Sequence, residues 1–117
     1  MNYVDGFVLA VPKRNLDAYR DVAAVAGAVW KEHGALAFVE CIGDDVPYGE
    51  VTSFPRAVQA REDELVVFSW IVYESRAHRD TVNAKVMADP RIKQGMENPP
   101  FDGKRMIYGG FRVLVEL

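Results

Sequence analysis

A chain of 117 residues, 50% apolar and 26% charged, can fold as one domain over residues 1–117, around a core that takes roughly two-thirds of its unfolded surface out of water. Its 14 basic and 17 acidic residues leave a net charge of −3, with the cations scattered, so the electrostatic footprint of a nucleic-acid binder is missing and no such partner is expected. No window approaches the ~20 apolar residues of a membrane helix. The opening MNYVDGFVLAVP has no basic segment before its apolar run, and the lone Cys41 excludes an intrachain disulfide, so a cytoplasmic protein without a membrane partner is expected.

Residues 3–11 alternate bulky and small side chains and Pro12 closes the run, which predicts a first strand. Asn15 is a suitable N-cap for a first helix. Leu16, Tyr19, Val22, Ala23, Ala26, Val29 and Trp30 then recur every three or four positions up to His33, and Gly34 stands where a C-cap glycine belongs. Ala35 to Ile42 and Leu65 to Tyr73 read as the next two strands. The segment between them, with Gly43, Pro47, Gly49 and Pro55, is too long for a plain hairpin; residues 57–60 are expected to extend the hairpin, and the rest is a candidate lid. Ser75 caps a second helix to about Ala88, which Asp89 and Pro90 end. A loop rich in proline and glycine leads to a last strand, Arg105 to Glu116.

The order β-α-β-β-α-β, wound with right-handed crossovers, gives an α+β fold: a ferredoxin-like four-stranded antiparallel sheet with two helices on one face. Leu65 to Tyr73 is apolar on both of its sides except at Ser69, so the face without helices also needs a cover. A second copy of the sheet supplies it most simply, as a homodimer enclosing a cavity; long loops folded over a monomer are the rival.

Period-2 alternation assigns faces. The compact Val4, Gly6, Val8 and Ala10 leave room for helices, which sends Tyr3, Asp5, Phe7 and Leu9 to the other side; Ala37, Val39 and Cys41 likewise leave Leu36, Phe38 and Glu40 facing away, joined by Tyr108 and Arg112 of the last strand. Charges on an apolar sheet face are costly unless paired or solvated, so they mark either a ligand cavity or dimer salt bridges at the sheet margin. In a cavity, Asp5 or Glu40 would accept a proton, Arg112 would hold an anionic group, and Phe7, Phe38 and Tyr108 would pack on the ligand. Ser69 and Trp70 point to opposite faces, so only one of them can line it.

His78, third in its helix and on the packed face, suits a neutral imidazole, either as a catalytic base or as a core histidine satisfied by one hydrogen bond. His33 reads as a cap for the first helix. Two histidines on different helices and one cysteine give no zinc spacing, and Asp44-Asp45 reads as a solvated turn, so neither metal nor cofactor is expected. The glycines form no phosphate loop, and Gly109-Gly110 within a strand marks a bulge or a close approach. No serine has a glycine-flanked elbow, and Cys41 is expected to be buried and inert.

The segments YVDGFVLAVPKRNLDAY, VWKEHGAL, VECIGDDVPYGEVTSFPRAV, VVFSWIVYESRAHRDTVNAKVMADPR and FDGKRMIYGGF together resemble the YbaA-like bacterial family, a domain of unknown function, over nearly the whole chain. The resemblance implies membership of the dimeric α/β-barrel superfamily, whose ferredoxin-like protomers pair sheet to sheet. That superfamily includes cofactor-free monooxygenases, isomerase-like enzymes, haem-binding proteins and stress-induced proteins without an assigned reaction, and it hands down no catalytic residue to a position here. The expectation is a homodimer that binds a small, partly aromatic or anionic metabolite, as a cofactor-free monooxygenase- or isomerase-like enzyme. The alternatives are a non-enzymatic ligand sensor or protein-interaction dimer and, third, a haem protein that would need His33 and His78 as reachable ligands.

Overall fold

The computed structural model describes residues 2–117. In chain order it places β1 (Tyr3–Pro12), α1 (Leu16–Glu32), β2 (Ala37–Ile42), α2 (Phe54–Ala57), β3 (Glu64–Tyr73), α3 (Arg76–Met87), α4 (Pro90–Gly95) and β4 (Ile107–Arg112), with 3-10 turns at Lys13–Asn15 and Gly103–Arg105. The strands form one antiparallel sheet in the order β2-β3-β1-β4, so the central pair is β1 and β3, and the two long helices are the crossovers to the outer strands. This is the ferredoxin-like arrangement that the element order implies.

Local chemistry moves several boundaries. Asp89 and Pro90 end α3 and also begin α4: the Asp89 side chain accepts from the Arg91 amide, and proline at the first helical position loses no bond. Ser53 caps α2 in the same way, so residues 57–60 do not extend a hairpin; Val58 is instead buried against Val8, Ala10 and Val66. Asn15 does not cap α1, because its amide donates to the Pro100 carbonyl at 3.2 Å. The last strand runs only over Ile107–Arg112, since Arg105 lies in a 3-10 turn and grips Glu64 through two bonds of 2.7 Å. Gly34 follows α1 with φ +117°, the left-handed position that favours glycine.

The two faces of the sheet are the reverse of the size-based expectation. Tyr3 packs with Val29 of α1 and Val82 and Val86 of α3, while Leu9 and Val11 pack with Tyr19 of α1. Val8 and Ala10 lie on the opposite side, under Val58. The reason is complementarity of volume: α1 presents Ala23, Ala26 and Gly27, so large side chains must come from the sheet to fill the layer. Compact residues suit the face on which the chain between β2 and β3 lies close. Cys41 accordingly sits on the helix-distal face, exposed rather than buried.

Candidate functional site

Residues opposite one another on neighbouring strands share a face, so the register lays the candidate residues out in rows. Glu40, Ser69, Phe7 and Tyr108 form one row across the four strands; Phe38, Ile71, Asp5 and Gly110 form the next; Tyr73, Tyr3 and Arg112 end the series. Asp5, Glu40, Phe7, Phe38, Tyr108 and Arg112 do share one face, but it is the helix side and not the helix-distal side. Of the pair on β3, Ser69 lies on this side and Trp70 on the other. The helices then divide the set, and Glu40 and Tyr108 stand three strand spacings apart, about 14 Å.

Asp5 is buried beneath the helices, where its carboxylate lies 3.4 Å from Arg79 Nε and close to Tyr73 and Asn83, the Tyr73 hydroxyl donating to Asn83 Oδ1 at 3.0 Å. Trp30 Nε1 completes the cluster, within 3.0 Å of the Tyr73 hydroxyl and 3.1 Å of Asn83 Oδ1, and Arg79 also donates to the Tyr3 hydroxyl at 3.1 Å. Burial raises the Asp5 pKa above the ordinary carboxylate value and Arg79 opposes the rise. The cluster ties α1 and α3 to the sheet. Gly110 makes room for it: a Cβ there would strike the Tyr3 hydroxyl and Arg79 Nη2. The register runs unbroken through Gly109 and Gly110, so the pair marks a close approach and not a bulge.

Phe7 stacks on Tyr108 with ring centroids 6.3 Å apart, and Tyr108 is 73% exposed, because β4 lies beyond the helix layer. Arg112 is exposed on the same outer strand, next to Tyr3. His78 is half-buried, with its ring edge-on to Tyr73; its Nδ1 accepts from the Glu74 amide at 3.0 Å, which leaves the proton of a neutral ring on Nε2. His33 Nε2 contacts Asp89 at 3.1 Å, and Arg91 followed by His33 holds the Asp89 carboxyl well below the usual carboxylate range. Neither histidine approaches Glu40.

Glu40 has a different setting. The Tyr19 hydroxyl donates to its Oε1 at 2.7 Å, and the buried Ser69, opposite Glu40 in the strand register, brings a second hydroxyl near it. Burial raises the Glu40 pKa, and the two hydroxyls pull it part of the way back. The same pairing, together with burial, pushes the Tyr19 phenol above its ordinary range. The carboxylate borders an open groove of about 460 Å³ between α1 and the edge strand β2, lined also by Arg20, Ala23, Gly27, Lys31 and Phe38. Small residues on α1 keep it open, and at Gly27 the helix backbone comes so close that a Cβ would stand 2.8 Å from the Phe38 ring. Neither Tyr19 nor Arg79 stands out as a site residue in the sequence. A tyrosine on a buried helical stripe needs a partner for its hydroxyl, which is the signal that leads to Glu40.

A second cavity, of about 580 Å³, lies under the segment between β2 and β3 and is lined by Val46, Tyr48, Pro55, Arg61 and Glu64. Arg56 holds this segment, donating to the Tyr48 and Gly49 carbonyls at 3.0 and 3.1 Å and lying 3.9 Å above the Tyr48 ring. The Glu64 carboxyl at its edge is committed to Arg105, which takes its pKa down to about 2.

Among the described residues the helix-distal face carries no charge over its open part: Val4 and Gly6 of β1, Ala37, Val39 and Cys41 of β2, Phe68, Trp70 and Val72 of β3, and Ile107, Gly109 and Phe111 of β4. Phe68 is 43% exposed and Phe111 63% exposed, and Phe68 packs edge-on to Phe54 and tilted to Trp70. Glu64, at the covered end of this face, is closed off by Arg105.

A sheet of this order with its helices on one side, one apolar face and one acid-bearing face defines a ferredoxin-like α+β protein, and solved structures agree. One similar fold is the de novo designed protein Foldit4, with TM-score 0.52 and 10% identity over 97% of this chain and 99% of that one. Another is a dimeric ferredoxin-like protein from an uncultured marine organism, with TM-score 0.53 and 16% identity over 100% of both chains. The chain belongs to the family described as Protein of unknown function (DUF1428), which matches residues 2–103. It is 58% identical over 116 residues to the Uncharacterized protein YbaA of Escherichia coli and to that of Shigella flexneri, covering 99% of each chain. Among the described residues no helix is long and apolar enough to cross a membrane.

Proposed function

We propose that the protein is a cytoplasmic homodimer that pairs through its helix-distal sheet face and binds a small molecule in the groove between α1 and β2, where Glu40 handles a proton without a cofactor. The observation that carries this reading is the division of chemistry between the two faces of one sheet. The open distal face has aromatic and aliphatic side chains and no charge, over roughly 20 Å by 20 Å from strand spacing and rise, a size at which apolar patches mark association surfaces. A second copy covers it without leaving any charge unpaired, and the similar marine protein is itself described as dimeric. On the helix side, Asp5 is closed in by its own partners, whereas Glu40 keeps one side toward an open groove of a size suited to metabolites. A carboxyl whose burial raises its pKa above the ordinary carboxylate value holds a proton more readily than a solvated one, which suits it to proton transfer with a bound molecule.

Sedimentation equilibrium of the wild type and of Phe68→Asp tests the assembly. The expected result is a dimer for the wild type and a folded monomer for the variant, since a carboxylate would be buried unpaired in the interface. A monomeric wild type, or a variant that still dimerises, would overturn the pairing. A small-molecule fragment screen by amide NMR tests the groove: shifts are expected at Ala23, Gly27 and Glu40, and shifts confined to the distal face would remove the groove from the proposal.

A further inference from the structure

Among the described residues the carboxylates packed into this fold are matched with cations from the chain, with one exception. Asp5 faces Arg79, Glu64 is gripped by Arg105, and Asp89 is held by Arg91 and His33. Among the described residues Glu40 has no Lys, Arg or His nitrogen within 4.0 Å, and its partners are the neutral hydroxyls of Tyr19 and Ser69. The two cationic side chains that line the groove are turned to other contacts: Arg20 lies 3.5 Å from Asp17, and Lys31 donates to the Leu36 carbonyl at 2.9 Å. A carboxylate that accepts one short hydrogen bond, with a second hydroxyl nearby, retains further lone-pair positions. Here they border a groove whose walls include the Tyr19 and Phe38 rings and the small residues Ala23 and Gly27.

We propose that the groove takes a small organic amine, its ammonium group against Glu40 and its apolar body along Phe38 and the small-residue side of α1. The inference rests on the groove being a ligand site. A cation is the chemistry that a half-buried carboxylate without a counter-ion lacks, and aromatic walls favour a positive charge over a neutral or negative one. A neutral alcohol of the same shape would hydrogen-bond to Glu40 but leave its charge uncompensated. An anion would meet the carboxylate directly.

The test is a titration of the 117-residue protein, followed by amide NMR, with three probes of similar size: 2-phenylethylammonium, 2-phenylethanol and phenylacetate. The expected result is saturable shifts at Ala23, Gly27 and Glu40 for the ammonium, with binding at least about tenfold weaker for the alcohol and for the ammonium with Glu40→Gln. Should the variant lose its dispersed spectrum, the wild type alone gives the answer: amine binding must weaken as the pH falls through the Glu40 ionisation. Equal binding of alcohol and amine, or amine binding that Glu40→Gln or acid leaves unchanged, overturns the inference. If phenylacetate shifts the groove amides and the amine does not, the amine is wrong while the groove remains a ligand site. Silence of all three probes in the groove counts against both.

Discussion

Gly27→Ala sets two effects of opposite sign against each other in the middle of α1. In a helix interior the change ordinarily stabilises by about 1 kcal/mol, through propensity and a less flexible unfolded chain. Here the new Cβ would stand 2.8, 3.0 and 3.3 Å from three atoms of the Phe38 ring. That ring cannot withdraw freely, because it also packs on Trp30 with centroids 5.9 Å apart. Overpacking of this kind costs about 1–3 kcal/mol, so the net effect is a loss of about 1 kcal/mol, against the usual gain. With an unfolding entropy of about 2.1 cal/mol/K per residue, that loss lowers Tm by about 4 °C, which a calorimetric or circular-dichroism melt resolves. The double variant with Phe38→Leu should recover much of the loss, a coupling expected only of residues in contact. A rise in Tm for Gly27→Ala alone would refute the close approach of α1 to β2, and with it the shape given to the groove.

Arg105→Ala strands the Glu64 carboxylate, whose side chain is 2% exposed, and should destabilise by about 3 kcal/mol at neutral pH. Because the folded pKa of Glu64 is lowered from 4.5 to about 2, its contribution is present above 4.5 and lost as the pH falls through about 2. The gap between variant and wild type in urea unfolding should therefore close on acidification across that window, and a gap independent of pH would contradict the pairing. Glu40→Gln has the opposite sign. The folded pKa of Glu40 is raised above 4.5, so its contribution is fully present below 4.5 and lost as the pH rises through the folded value. The glutamine variant should gain on the wild type as the pH rises from below 4.5 toward neutrality, and a constant difference would place Glu40 in ordinary solvent.

The order of elements and the gathering of Asp5, Glu40, Phe7, Phe38, Tyr108 and Arg112 on one face are legible in the sequence, because alternation along a strand fixes which residues share a side. Which side the helices cover is not legible in β1 alone, since Tyr3, Phe7 and Leu9 on one side and Val8 and Ala10 on the other can each line a core. The decision lies in the partner: Ala23, Ala26 and Gly27 make α1 a small-residue helix, and only the large side chains of the sheet can fill the space beneath it. Pro90 hides α4 for a related reason, since one residue ends a helix and begins the next. Tyr19 and Glu40 are 21 positions apart and meet only because α1 returns antiparallel beside β2, a contact that no local pattern displays. Arg79 and Asp5, on α3 and β1, are hidden in the same way.

The central claim is that one carboxylate on the helix side of the sheet stands, among the described residues, without a counter-ion beside an open groove. Its most direct test is the pH titration of the Glu40 side-chain carboxyl by carbon-13 NMR in the folded protein, with Asp5 and Glu64 followed in the same spectra. The predicted result is a Glu40 midpoint above 4.5, its burial outweighing the hydroxyls of Tyr19 and Ser69, while Glu64 titrates at about 2. A Glu40 midpoint at or below 4.5 would mean a solvated or cation-paired carboxylate, and it would contradict the claim.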